Sequence, residues 1–176
     1  MVFSFGDSCY NNSYPAASPY VTAVGGTSLT SQGETAWDLG GSGCSYYEPK
    51  PPWQKDTGCP NRTIADVAAD ADPNTGAAIY SSDYQSPAAW YQVGGTSLSA
   101  PIIAGVYALS GNLLPNVWAN SLPYMKSSLL NDVTSGGNGA RFTCGKKGTP
   151  TYYLCHAMQG YDGPTGLGTP NGAGAF

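Results

Sequence analysis

The chain has 176 residues, among them 24 glycines and 14 prolines, with 41% hydrophobic residues and a net charge of −4. It is long enough for one domain with a real core, too rich in Tyr and Trp for a disordered chain and too acidic for a nucleic-acid binder. Because only 10% of residues are charged, the net charge changes little in mild acid until the aspartates protonate, which suits an acidic medium.

Residues 2–5 are a short apolar run stopped by Gly6-Asp7-Ser8, and they read as a buried strand ending at a loop. Residues 20–24 read as a second strand, closed by Gly25-Gly26, and residues 33–61 are loop-like. Residues 64–68 begin a short apolar element that ends in a turn by Gly76. Residues 77–80 and 90–93 are β-rich pieces around a polar connection, the pattern of a hairpin. The clearest helix spans 99–111, with Pro101 suited to a first turn and Gly111 to a C-terminal stop. Its apolar residues lie on nearly every side, which predicts burial under a sheet. Residues 122–130 read as a shorter helix, and 131–176 as glycine-rich loop with no domain boundary.

Five cysteines, at 9, 44, 59, 144 and 155, form two close pairs and a singleton. Neither pair has the short spacing of a zinc site, and His156 is the sole histidine, which speaks against structural zinc. Cys44 with Cys59 and Cys144 with Cys155 enclose Gly/Pro-rich loops and read as local disulfides of an oxidising compartment. Reduced, buried thiols are the alternative, and Cys9 is left over. No apolar run reaches the ~20 residues a membrane span needs, and the first residues lack the charged start of a secretory signal.

One hexapeptide occurs twice, as Val24-Gly25-Gly26-Thr27-Ser28-Leu29 and as Val93-Gly94-Gly95-Thr96-Ser97-Leu98. After Ser28 the chain stays polar, which places that serine in a turn after a strand. After Ser97 it enters the long helix. A serine on a glycine-led turn at a helix N-terminus is held where unpaired N–H groups and the dipole favour developing negative charge. Ser97 is therefore the candidate nucleophile, and Ser28 is not.

Gly95-Thr96-Ser97-Leu98-Ser99-Ala100-Pro101 resembles the nucleophile motif of subtilisin-like and sedolisin peptidases. Read without that resemblance, it is a strand, a glycine turn and a Pro-led helix. A subtilisin-type triad needs a His and an Asp ahead of the Ser, and His156 follows it. Sedolisins use a Glu supported by an Asp as base, and a separate Asp at the oxyanion. A carboxylate base with a reference pKa of about 4.3 works in acid, where imidazole is protonated. An oxyanion Asp must carry a proton to donate, which again requires acid.

The resemblance extends along the chain. Phe5-Gly6-Asp7-Ser8 is similar to the family's Gly-Asp-Ser-Gly, which assigns Asp7 the oxyanion role and puts Cys9 in place of the final Gly. Residues 14–27 and 65–76 are long matches, and Asp66 and Asp72 in the second read as structural. Residues 131–136 and 160–170 resemble the family's calcium site. Its implied ligands are the Asp132 and Asp162 carboxylates with the carbonyls of Val133, Met158 and Gly160 plus water, oxygen donors suited to a hard cation. Met158 stands where a Gly is usual, and two ordinary Asp turns are the alternative.

The resemblance implies an α/β fold, a subtilisin-like parallel sheet flanked by helices with its N-terminal strands and helices missing. It implies one partial peptidase domain over 1–176, with calcium-binding loops at about 131–168. The family's Glu/Asp pair lies upstream of the Gly-Asp-Ser-Gly strand, and Glu34 and Glu48, the only glutamates, lack its helical Glu-x-x-x-Asp setting. The chain thus reads as a secreted serine-type endopeptidase of sedolisin type, acting on protein or peptide substrates at acidic pH. With neither that base nor an export signal, it reads as a fragment of low activity apart from its N-terminal half. A non-catalytic, calcium-stabilised secreted module is the alternative, and neither nucleic acid nor membrane is an expected partner.

Overall fold

The computed structural model describes residues 1–83, 87–112, 114–139 and 144–176. In chain order the strands are β1 (Val2–Ser4), β2 (Thr22–Thr30), β3 (Gly33–Ala36), β4 (Gly43–Cys44), β5 (Thr63–Ile64), β6 (Val67–Asp70), β7 (Ala77–Ser81) and β8 (Ala89–Val93). Helix α1 (Thr96–Ser110) and the single turn α2 (Leu122–Met125) follow, then β9 (Leu130–Asn131) and β10 (Thr169–Pro170).

The main sheet is built on β2. β1 and β6 pair with it in parallel, and β3 pairs antiparallel with its far end, Thr27 opposite Ala36. The sheet is therefore mixed, where the sequence predicts parallel strands. β2 also continues through Gly25-Gly26 and does not close there. Those glycines answer crowding: a Cβ on Gly25 would overlap the Pro164 carbonyl, and one on Gly26 would lie 2.6 Å from the Ala71 Cβ. Glycine inside a strand marks such a close approach. Ser28 thus sits in a strand, not a turn, and its hydroxyl donates to Asp72 Oδ2 at 2.7 Å. Residues 33–61, expected to be loop, contain β3 and β4.

α1 crosses β6, β2 and β1. Ala100 and Ile103 enter a core with Val24, Val67, Ala69, Leu130 and Phe176. The helix starts at Thr96, ahead of the expected Ser99, which puts Pro101 inside it. Gly111, in the left-handed region with φ 62°, closes its C-terminus. Burial is one-sided, contrary to expectation: Pro101, Ile102, Ala104, Ala108 and Leu109 are exposed, Leu109 at 83%. The expected helix over 122–130 is broken into α2 and 3-10 turns, because Lys126 leaves the helical region with φ −130° and ψ 32°. β7 and β8 form the anticipated hairpin, although residues 84–86 of its connection lie outside the described residues.

Arg62 and Asp66, both at 0% exposure, form a buried ion pair beside β5 and β6. Arg62 Nη1 donates to Asp66 Oδ1 at 2.6 Å and Nη2 to Oδ2 at 2.5 Å, the bidentate geometry that makes such pairs strong. Burial works against the guanidinium charge, but the Asp66 carboxylate outweighs it and holds Arg62 above its ordinary value. Asp66 also accepts the Ala23 N–H at 2.8 Å and the Tyr124 hydroxyl at 2.7 Å. Removing one member leaves the other charged and buried. Asp66→Ala is therefore expected to lower the unfolding free energy by roughly 3–5 kcal/mol. Urea denaturation reads this directly, and an unchanged midpoint would refute the role given to the pair.

Candidate active site

The turn before α1 is held from the end of β1. Asp7 Oδ1 accepts both the Thr96 N–H and the Thr96 hydroxyl, each at 2.8 Å, and the Gly6 N–H reaches Thr96 Oγ1 at 3.0 Å. Gly95 N–H donates to the Ala71 carbonyl at 2.6 Å. Gly95 has φ 88°, and a Cβ there would lie 2.7 Å from Asp7 Oδ2, so backbone conformation and the approach of Asp7 both require glycine. Thr96 is fully buried, whereas Ser97, the next residue, is exposed.

These contacts divide the labour at the helix N-terminus. The first N–H groups of a helix have no acceptor within it. Asp7 takes that of Thr96, and Ser97, the next residue, stands exposed at the helix start. Pro101, lacking an N–H, supplies no helical partner to the Ser97 carbonyl. Sequence reasoning placed Asp7 and Ser97 individually but missed Thr96, the residue that joins them across 89 positions. Cys9, two residues past Asp7, is buried with φ 59°, a backbone region that favours glycine.

Two further acid–base residues, Glu34 and His156, are committed elsewhere. Glu34 accepts the Thr27 hydroxyl at 2.6 Å and the Thr169 hydroxyl at 2.7 Å. His156 stacks on Tyr152 with ring centroids 3.9 Å apart and pairs through its backbone with Gly137. Cys44–Cys59 and Cys144–Cys155 are disulfides, as their spacing predicts.

The C-terminal acidic loops also meet. β9 pairs with β10, which fixes Asp132 just beyond Asn131, and the Gly160 N–H donates to Asp132 Oδ2 at 2.8 Å. Asp162 is buried. It accepts the Met158 N–H on Oδ2, and the Thr165 N–H and hydroxyl on Oδ1, all within 2.8–2.9 Å. Burial, and secondarily the negative charge of Asp132, raise Asp162 to about 7 against those hydrogen bonds. The carbonyls of Val133, Met158 and Gly160 accept none of the backbone hydrogen bonds made among the described residues outside helices and strands. Also among the described residues, no three His, Cys, Asp or Glu side chains cluster to hold a metal. A cation here would depend on two carboxylates and backbone oxygens.

A family model described as the subtilase family matches residues 1–146. Sedolisin of Pseudomonas sp. (strain 101) is 37% identical over 92% of this chain and 29% of its own length. Xanthomonalisin of Xanthomonas sp. (strain T-22) is 33% identical over 95% of this chain and 21% of its own. A solved structure of Pseudomonas sedolisin, a serine-carboxyl proteinase complexed with pseudo-iodotyrostatin, superimposes with TM-score 0.74 at 36% identity. It covers 97% of this chain and 52% of the solved one. The chain belongs to the subtilase family, in its sedolisin branch.

It is thus a member of a family of serine-type peptidases with an α/β subtilisin-like fold, and it spans about half of the solved sedolisin chain. The raised Asp162 of this sedolisin relative has a direct consequence. The unfolded carboxyl titrates near 3.9, so between about pH 4 and 7 the unfolded chain ionises freely while the folded chain keeps its proton, which favours unfolding. Chelator-treated protein is expected to lose stability across that window, fully above about pH 7. Asp162→Asn should remove that slope, and melting temperatures measured from pH 4 to 8 that decline equally in both proteins would contradict it.

Proposed function

We propose that this chain carries the nucleophile and the oxyanion acid of an acid-acting serine-carboxyl endopeptidase. The supporting observation is the double hydrogen bond from Thr96 to Asp7, which sets a carboxyl group beside the exposed Ser97. Ser97 Oγ attacks the carbonyl carbon of a peptide bond, and its proton passes to a carboxylate base. The oxyanion is held by the Ser97 N–H and by the Asp7 carboxyl, through Oδ2, the oxygen Thr96 leaves open. Preorganised donors of this kind stabilise charge that appears only in the transition state. Collapse of the tetrahedral intermediate expels the amine and leaves an acyl group on Ser97, which water then removes.

The base comes from outside residues 1–176, on this reading, because Glu34 is held by two threonines and neither Glu34 nor Glu48 has the helical pairing the family uses. The exposed apolar side of α1 and the edge of β1, unpaired among the described residues, suit the N-terminal half of such a domain. The two disulfides accord with secretion. Calcium fits the acidic loops: Asp132 and Asp162, with the carbonyls of Val133, Met158 and Gly160, would hold it, and it would neutralise two close carboxylates. A non-catalytic module is the second reading, favoured by the same lack of an available base.

Turnover of an acid-denatured protein at about pH 3–5 tests these readings. The isolated chain is expected to show little. The whole gene product is expected to cleave, with cleavage abolished by Ser97→Ala and reduced roughly 10²–10³-fold by Asp7→Ala. Cleavage by the whole product that survives Ser97→Ala overturns the nucleophile assignment, and its absence favours the non-catalytic reading. Calcium is expected to raise the melting temperature at neutral pH in the wild type but not in Asp162→Asn; a melt indifferent to calcium and chelator sinks the metal assignment.

A further inference from the structure

Among the described residues the β7–β8 hairpin pairs with neither strand edge of the main sheet, yet its second strand runs straight into the turn before Ser97: β8 ends at Val93 and α1 begins at Thr96. Tyr80 lies opposite Trp90, their rings in edge contact with centroids 5.6 Å apart, and Ile79 lies opposite Tyr91. These side chains are open to solvent, Trp90 at 71% and Tyr80 at 57%. Among the described residues of 77–93, Asp83 is the one charged side chain. A two-stranded hairpin is marginal alone in water, and exposed strand edges are ordinarily guarded by charge. An uncharged aromatic patch on such an element marks a binding surface.

We infer that this hairpin is an extended substrate subsite, which takes apolar and aromatic side chains of an unfolded polypeptide several residues from the bond being cut. The inference rests on the role proposed for Ser97. Continuity with that residue identifies the occupant. The seven residue steps from Trp90 to Ser97 span at most about 25 Å, a distance an extended substrate covers in about seven residues of its own. The hairpin base is anchored to the backbone that positions the nucleophile. A Cβ on Gly94 would lie 2.5 Å from the Ala71 carbonyl oxygen, the atom that also accepts the Gly95 N–H. The free strand edge offers backbone N–H and C=O groups to an extended chain, and Tyr80 and Trp90 offer ring faces to its side chains. The lack of charge favours apolar stretches, which denatured proteins expose.

The test compares kcat/KM of the whole gene product on two peptides with the same scissile bond. One is minimal; the other is extended by seven residues on both sides and carries Phe and Leu. Trp90→Ala combined with Tyr80→Ser is expected to cut the preference for the long peptide by roughly tenfold, the loss typical of an aromatic anchor. Trp90→Phe should restore most of it, which separates recognition from a folding defect. An unchanged preference, including an equal loss on both peptides, overturns the subsite. So does a change of oligomeric state in the double variant, which would make the patch an assembly face. If the minimal peptide is cleaved as well by Ser97→Ala, the nucleophile assignment itself fails, a result distinct from loss of the length preference.

Discussion

The carboxylate of Asp66 is where otherwise separate parts of the chain are tied together. Its two oxygens accept from Arg62, from the backbone of β2 at Ala23 and from Tyr124 in α2. Its own backbone continues the pattern, because its N–H donates to Ala23 and its carbonyl accepts from Leu167 in the C-terminal loops. A buried ion pair is costly to desolvate. Here both carboxylate oxygens and both terminal guanidinium nitrogens are hydrogen-bonded, while the buried Arg62 Nε has no partner among the described residues. The strand that follows, β6, leads to Ala71, whose carbonyl accepts the Gly95 N–H. The turn before Ser97 is therefore positioned at one remove by this buried pair.

The repeated hexapeptide shows how surroundings give identical local sequence two different structures. In the first copy the glycines stay extended because neighbouring backbone presses on them, and Ser28 spends its hydroxyl on Asp72. Hydrogen bonds from Asn74 and Ser28 outweigh partial burial and hold the Asp72 carboxyl below its ordinary value. In the second copy Gly95 turns to positive φ, Thr96 is buried against Asp7, and Ser97 is left exposed at a helix start. A helix N-terminus favours negative charge and a mid-strand position does not.

Local chemistry made several features readable in advance. The β-rich pieces of the hairpin, the stop at Gly111, the cysteine pairs and the context of Ser97 all depend on residues close in sequence. What escaped depends on distant partners. β2 passes through Gly25-Gly26 because of Pro164 and Ala71, and the partnership of Arg62 with Asp66 is recognisable only once both are buried. Thr96 became significant only through Asp7. Apolar residues all round α1 predicted full burial, but among the described residues its outer side is left uncovered. Periodicity reports which faces seek cover, not whether cover is present.

The assignment of Ser97 as nucleophile is tested most directly by covalent capture. A fluorophosphonate forms a stable ester only with a serine activated as a nucleophile, and peptide mapping by tandem mass spectrometry locates it. In the whole gene product, under conditions where it cleaves protein, the tag is expected on Ser97 and absent from Ser28, its twin in sequence. A tag on Ser28, or full cleavage with Ser97 untouched, would contradict the account.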